Sequence, residues 1–171
     1  MAVRPGSLEP VGNSARTGSI RASMMVMSFK DLPQGGARDL DLSDHTYAAD
    51  VIDLITLEED RALGCFSAML CDSEDHGVQP LCLNCVEPGA SPDEMVDLLE
   101  LVLPLLAQSR GSILMARGRV GALRPTDDDR HWHQRAIEVC RAHDVKLLGF
   151  HIATDEGVLR LPEPLAASDV A

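Results

Sequence analysis

The sequence predicts an α/β domain, a mixed sheet with flanking helices. Three observations carry this expectation. Two apolar runs, Leu63–Cys71 and Val78–Val86, flank the polar stretch Asp72–Gly77, which is the pattern of a β-hairpin. Downstream, Met95, Leu98, Leu99, Val102, Leu105 and Leu106 recur at helical spacing. The rest of the chain then alternates strand, loop, helix, strand, turn and strand, as a layered α/β domain requires.

Residues 1–38 are rich in Ser, Gly, Arg and Pro and lack sustained periodicity, so they read as a disordered or loosely attached arm. Met24, Met25 and Met27 are each a possible translation start. Residues 39–60 form an acidic lead-in segment, with Asp39, Asp41, Asp44 and Asp50 around Ala48–Ile55, where a short helix is expected. The compact domain is expected over residues 61–161, followed by a polar, proline-containing tail at 162–171. Within it, Ser91 should cap a helix that has Pro92 at its first position and Glu94 completing a capping box. Pro104 should kink that helix or end its hydrogen bonding early. Ser112–Met115 is a short buried strand. Thr126 is placed to cap a helix over Asp127–His143, which turns Trp132, Ala136, Val139 and Cys140 inward. Val145–Ala153 is a strand, and Asp155–Gly157 turns into a last strand, Val158–Leu161. No internal repeat is present.

Composition narrows the function classes. Hydrophobic residues make up 45% of 171 and aromatics only 3%, so the core must be built from Leu, Val, Ile, Ala and Met. No apolar run reaches the ~18 residues of a membrane span, and Met24–Phe29 is too short for a secretory core. A cytoplasmic location is expected, with the five cysteines as reduced thiols. Lysine is confined to Lys30 and Lys146 against many arginines, which points to a GC-rich bacterial genome. The net charge is −12. Arg4, Arg16, Arg21, Lys30 and Arg38 against Glu9 and Asp31 give the arm +3, leaving −15 on the body. An acidic body lacks the clustered cations that a nucleic-acid surface needs, so no nucleic acid and no membrane is expected as partner.

The most informative stretch is Ala116–Asp129, ARGRVGALRPTDDD, between the strand Ser112–Met115 and the helix capped by Thr126. It resembles the metal loop of the JAB/MPN (JAMM) metalloproteins, most closely their RadC-type bacterial branch. That loop reads His-x-His-Pro-x-Gly, followed by Pro-Ser-x-x-Asp. Gly121, Pro125, Thr126 and Asp129 match without a gap, while Ala116, Gly118 and Arg119 replace the two histidines and the following proline. Two further stretches match in order: Leu70-Cys71-Asp72 before the hairpin turn, and Val145–Ile152, where Gly149 stands in the place of an aspartate. The resemblance covers roughly residues 61–161 and implies the cytidine-deaminase-like three-layer fold of that family. In the family the two histidines and the aspartate hold zinc, and a glutamate on the first strand activates the bound water. The corresponding position here falls near Gly64. The resemblance therefore implies a degenerate metal site at Gly64, Ala116, Gly118 and Asp129, with no metal, no cofactor and no catalytic residue, since one carboxylate cannot supply a zinc site.

Other candidates are weighed on the residues themselves. Asp129, three places after the cap, suits a capping role. Arg117, Arg119, Arg124 and Arg130 approach a helix N-terminus and are candidate anion-binding residues, unless Asp127, Asp128 and Asp129 neutralise them. Read as exposed loop charges, Arg117 and Arg119 should be dispensable for folding. His131 and His133 lie two apart on a helix and cannot chelate one ion; an exposed His beside a core Trp is the simpler expectation. Cys82-x-x-Cys85 supplies two zinc ligands, which Cys65, Cys71 and His76 could complete in principle. Three functions follow: an inactive RadC/JAB-like pseudoenzyme for protein binding, scaffolding or self-association; a non-zinc enzyme or binder of an anionic ligand at the arginines; and a small structural-zinc protein.

Overall fold

The computed structural model describes Met24, Met25 and residues 37–164. Most of the arm expected over residues 1–38, with the candidate start Met27, and residues 165–171 of the expected tail lie outside the described residues. Within them the chain is α/β. Helix α1 (His45–Ile55) and α2 (Glu58–Leu63) come first, then strands β2 (Cys65–Cys71) and β3 (Gly77–Asn84). Helix α3 (Asp93–Ser109), β4 (Ser112–Gly118), α4 (Asp127–Ala142), β5 (Lys146–Thr154) and β6 (Gly157–Arg160) follow, and Met24–Met25 form a two-residue β1. The mixed sheet has the order β1-β3-β2-β4-β5-β6; β4 and β5 run parallel and every other pair antiparallel. No helix among the described residues is long and apolar enough to cross a membrane.

Local chemistry sets the element ends. The Asp72 side chain accepts from the backbone amides of Glu74 (2.9 Å) and His76 (3.0 Å), which closes the β2–β3 turn. Thr126 and Asp129 form a reciprocal capping box at α4, as the sequence predicts. The expected box at α3 is absent: the helix starts at Asp93, and the Ser91 hydroxyl accepts only from the Asp93 amide, at 3.4 Å. Helix α3 also runs through Pro104 to Ser109, where Arg110 takes a left-handed φ of 54° and the Gly111 amide bonds the Leu106 carbonyl at 2.8 Å.

Two cores lie on opposite faces of the sheet. On one, α3 and α4 pack Met95, Leu99, Leu103 and Trp132 against Phe66, Ile113, Met115 and Phe150. On the other, α1 packs Ala48, Val51, Ile52 and Ile55 against Met69, Leu114, Ala116 and Leu148. This second core corrects the expected domain boundary. Residues 39–60 are not a lead-in but one of the three layers, because Leu42, Ile52 and Ile55 are completely or almost completely buried. At roughly 1.5–3 kcal/mol per buried aliphatic side chain, such a face is a substantial part of the fold's stability.

Arg61, taken from the sequence as the domain's first residue, is buried at the centre of this attachment. Its guanidinium donates to the carbonyls of Thr56 (2.7 Å), Thr154 (2.9 Å) and Asp53 (3.0 Å) and pairs with the Asp53 carboxylate (2.7 Å). It thereby ties both helices to the end of β5.

Candidate functional site

The strand expected over Ser112–Met115 continues to Gly118. This extension decides where the candidate residues point, because side chains alternate across a strand. Ile113 and Met115 face α3 and α4, and Arg117 follows them: its guanidinium lies 4.8 Å from the Trp132 ring centroid. Leu114 and Ala116 face α1, and Gly118 follows them. A Cβ on Gly118 would collide with Cys65 Sγ and crowd the Thr56 methyl group. Ala116 and Gly118 therefore lie on the sheet face opposite Asp129. In this chain the three positions do not surround one point where an ion could sit.

What faces Asp129 is a pair of arginines. Arg117 donates to Asp128 Oδ2 (2.6 Å) and Asp129 Oδ1 (3.3 Å). Arg119 donates from Nε to both Asp129 oxygens (3.0 and 3.2 Å) and from an Nη to Oδ2 (2.7 Å). Its other contacts are the carbonyls of Val120 (3.1 Å), Ala122 (3.3 Å) and Arg124 (2.9 Å), which fold the loop around the guanidinium. The Thr126 amide adds a further bond to Asp129 Oδ2 at 2.9 Å. Asp129 is completely buried. Burial alone would raise its pKa, but the Arg119 and Thr126 hydrogen bonds outweigh it and hold the carboxyl below its usual range.

Neither arginine of the pair is the exposed loop charge expected from the sequence, and the aspartates neutralise both. Arg124 is exposed, and Arg130 pairs with Asp127 (2.8 Å) on the helix surface. The four candidate anion-binding arginines do not converge.

A cleft of about 360 Å³ opens at the C-terminal end of β4, lined by Gly64, Arg117, Gly118, Arg119 and Asp128 and edged by Leu63 and Val120. It brings together Gly64, Arg117, Gly118 and Arg119 of the sequence candidates, with Ala116, Arg124, Asp129 and Arg130 outside its lining. Gly64 has a φ of 79°, and a Cβ there would collide with the Val86 carbonyl, so no carboxylate side chain fits at the position expected for a general base. The residues present do not fit zinc. Ala116 and Gly118 carry no ligand atom, and Asp129 is already held by two guanidiniums.

The remaining candidates separate. His131 is exposed, as expected, but His133 is buried and stacks on Phe150 at 5.2 Å between ring centroids. Both line a second cleft of about 570 Å³ with Arg130 and Glu163. Cys82 is buried whereas Cys85 is exposed at a φ of 63°. Cys71 lies at the far end of β2, its thiol turned to the Met69 carbonyl. Among the described residues no three His, Cys, Asp or Glu side chains are grouped so as to hold a metal ion. The sequence reading missed Arg61 and the cation–π contact of Arg117 with Trp132. It also missed the approach of Cys65 to Cys82, which depends on the hairpin register. Comparison with protein-family models, curated proteins and solved structures finds no match to this chain.

Proposed function

We propose that this chain is a metal-free, catalytically inactive domain on a RadC/JAB-like framework, and that it works by binding a protein partner, a second copy of itself included. One observation carries the reading: the Asp129 carboxylate, the one family ligand that the loop retains, is saturated by Arg117 and Arg119 and is left with nothing to offer a metal. The retained Gly121, Pro125, Thr126 and Asp129, and the shared order of elements, support the framework. The cleft favours contact over chemistry. Its charges are internally paired, while Leu63 and Val120 at its edge are 63% and 61% exposed. Large exposed apolar side chains beside a groove are typical of contact surfaces.

The test has two arms. Purified protein dialysed against zinc should hold no stoichiometric metal, and about one zinc per chain would overturn the reading. Leu63→Asp with Val120→Asp should abolish recovery of the partner that co-purifies with the native chain, or shift a self-associated chain to monomer, with the melting temperature kept. Unchanged association by that variant would remove the cleft from the proposal.

A further inference from the structure

Helix α3 buries Met95, Leu98, Leu99, Leu103 and Leu106 in the core it shares with the sheet and α4. Its outer face carries Glu94, Asp97, Leu101, Leu105 and Gln108, all exposed and spaced three or four apart, so they line one stripe along the helix. At the centre of the stripe, Leu101 and Leu105 are 72% and 65% exposed, the two most exposed large apolar side chains among the described residues. Glu100, beside the stripe, is paired with His143 of α4 at 3.1 Å. Glu94 and Asp97 at one end, and Arg110 at the C-cap, make no ion pair among the described residues.

We infer that the outer face of α3 is a self-association surface, on which a second copy of this chain docks antiparallel about a two-fold axis between Leu101 and Leu105. The order of charges along the helix sets this orientation. At the rise of an α-helix, Asp97 lies about 9 Å from the midpoint of the two leucines, and Arg110 about 10 Å from it in the other direction. A two-fold interface makes every contact twice. Antiparallel packing therefore sets Leu101 against Leu105 twice and brings Asp97 towards Arg110 twice. A parallel pair would instead face Asp97 with Asp97 and Glu94 with Glu94, on a chain whose net charge is already −12.

The apolar centre supplies the attraction and the charged ends fix the register. Helix α3 has 17 residues, a length of about 25 Å. A single helix pair of that length reaches at most the low end of the ~1,200–2,000 Å² buried in a stable interface, so the dimer is weak and reversible. No residue of α3 lines the cleft at the end of β4, so this surface is separate from the one proposed above.

The test is sedimentation velocity on the full chain, from low to high micromolar concentration. A concentration-dependent equilibrium of monomer and dimer is expected. Leu101→Glu with Leu105→Glu should raise the dissociation constant at least about tenfold. Both side chains are exposed, so the melting temperature should hold. Arg110→Asp should weaken the dimer severalfold, and an aspartate tolerates the left-handed φ of 54° at that position. Adding Asp97→Arg to it reverses both charges and should restore most of the lost affinity, which a merely structural role of either residue would not allow. A wild-type chain that stays monomeric throughout would overturn the inference, whatever other protein the face captures. So would a dimer that Leu63→Asp with Val120→Asp dissolves and the leucine variant leaves intact, since the cleft would then be the interface. Failure of the charge reversal to rescue association would overturn the antiparallel register.

Discussion

Asp129 shows how one residue's role changes once its partners are known. From sequence it is a helix cap, whose loss would cost roughly 0.5–2 kcal/mol. In the fold it is also the only wholly buried member of a four-charge cluster, with side-chain exposures of 0% for Asp129, 4% for Arg117, 16% for Arg119 and 38% for Asp128. Removing one partner from a buried pair strands the other charge and costs on the order of 3–5 kcal/mol. Asp129→Ala, Arg117→Ala and Arg119→Ala should therefore each destabilise strongly, because Arg119 makes three of the four guanidinium bonds to the carboxylate and Arg117 also holds Asp128. The double variant Arg117→Ala with Asp129→Ala should cost less than the sum of its two single variants, since neither member of that pair is then left opposite a missing partner. Urea denaturation of all four checks this. A small, additive effect at Arg117 and Asp129 would return both to the status of solvated charges.

At the scale of elements, α4, β5 and the β2–β3 hairpin were legible because an apolar pattern and a cap or turn agree at each. Two elements were not. β4 reads as ending at Met115, since Arg117 and Arg119 break the apolar run. They remain with the strand and at its exit only because α4 brings Asp128 and Asp129 alongside, and local sequence does not display that tertiary pairing. The extra strand length then turned Ala116 and Gly118 away from Asp129. The layer formed by α1 was obscured differently. Its Ala48, Val51, Ile52 and Ile55 have helical spacing, but Asp44, Asp50 and Asp53 make the segment look like solvated lead-in. The buried arginine that anchors it gives no signal at all among Glu58, Glu59 and Asp60. Truncation separates the two boundaries. A chain starting at Ala37 should keep a cooperative melting transition, and one starting at Arg61 should lose it, because Met69, Leu114 and Leu148 would be uncovered. Ile52→Ala in the intact chain should cost about 2–5 kcal/mol. A cooperative transition in the shorter chain would make α1 an accessory rather than a layer.

For the whole molecule, acid should work against this fold through its buried imidazoles. His151 is 1% exposed, both its ring nitrogens lack a partner in full hydrogen-bond geometry, and the Met115 backbone favours its charged form. Burial, helped by Arg160 from β6, His45 from α1 and His133 from α4, pushes its pKa down to about 4. His133 is also lowered, by burial first and Arg160 next, against the pull of Glu163. An unfolded histidine titrates near ~6.5. Between that value and about 4, the unfolded chain binds a proton that folded His151 refuses, so stability falls as pH drops through this window, by about 3 kcal/mol at full extent. Asp129 acts lower down. Its folded pKa is depressed, so its contribution is present above the unfolded carboxylate value and lost as pH falls through the folded one. The net charge of −12 pulls the other way, because protonating surface carboxylates relieves self-repulsion. A wild-type profile alone mixes these effects, and the comparison with His151→Leu isolates the histidine. That variant keeps an apolar filling and has nothing to protonate, so its urea midpoint should fall less than that of the wild type between neutral pH and about 4.5. Parallel profiles for the two chains across that window would mean that His151 is not held neutral by burial.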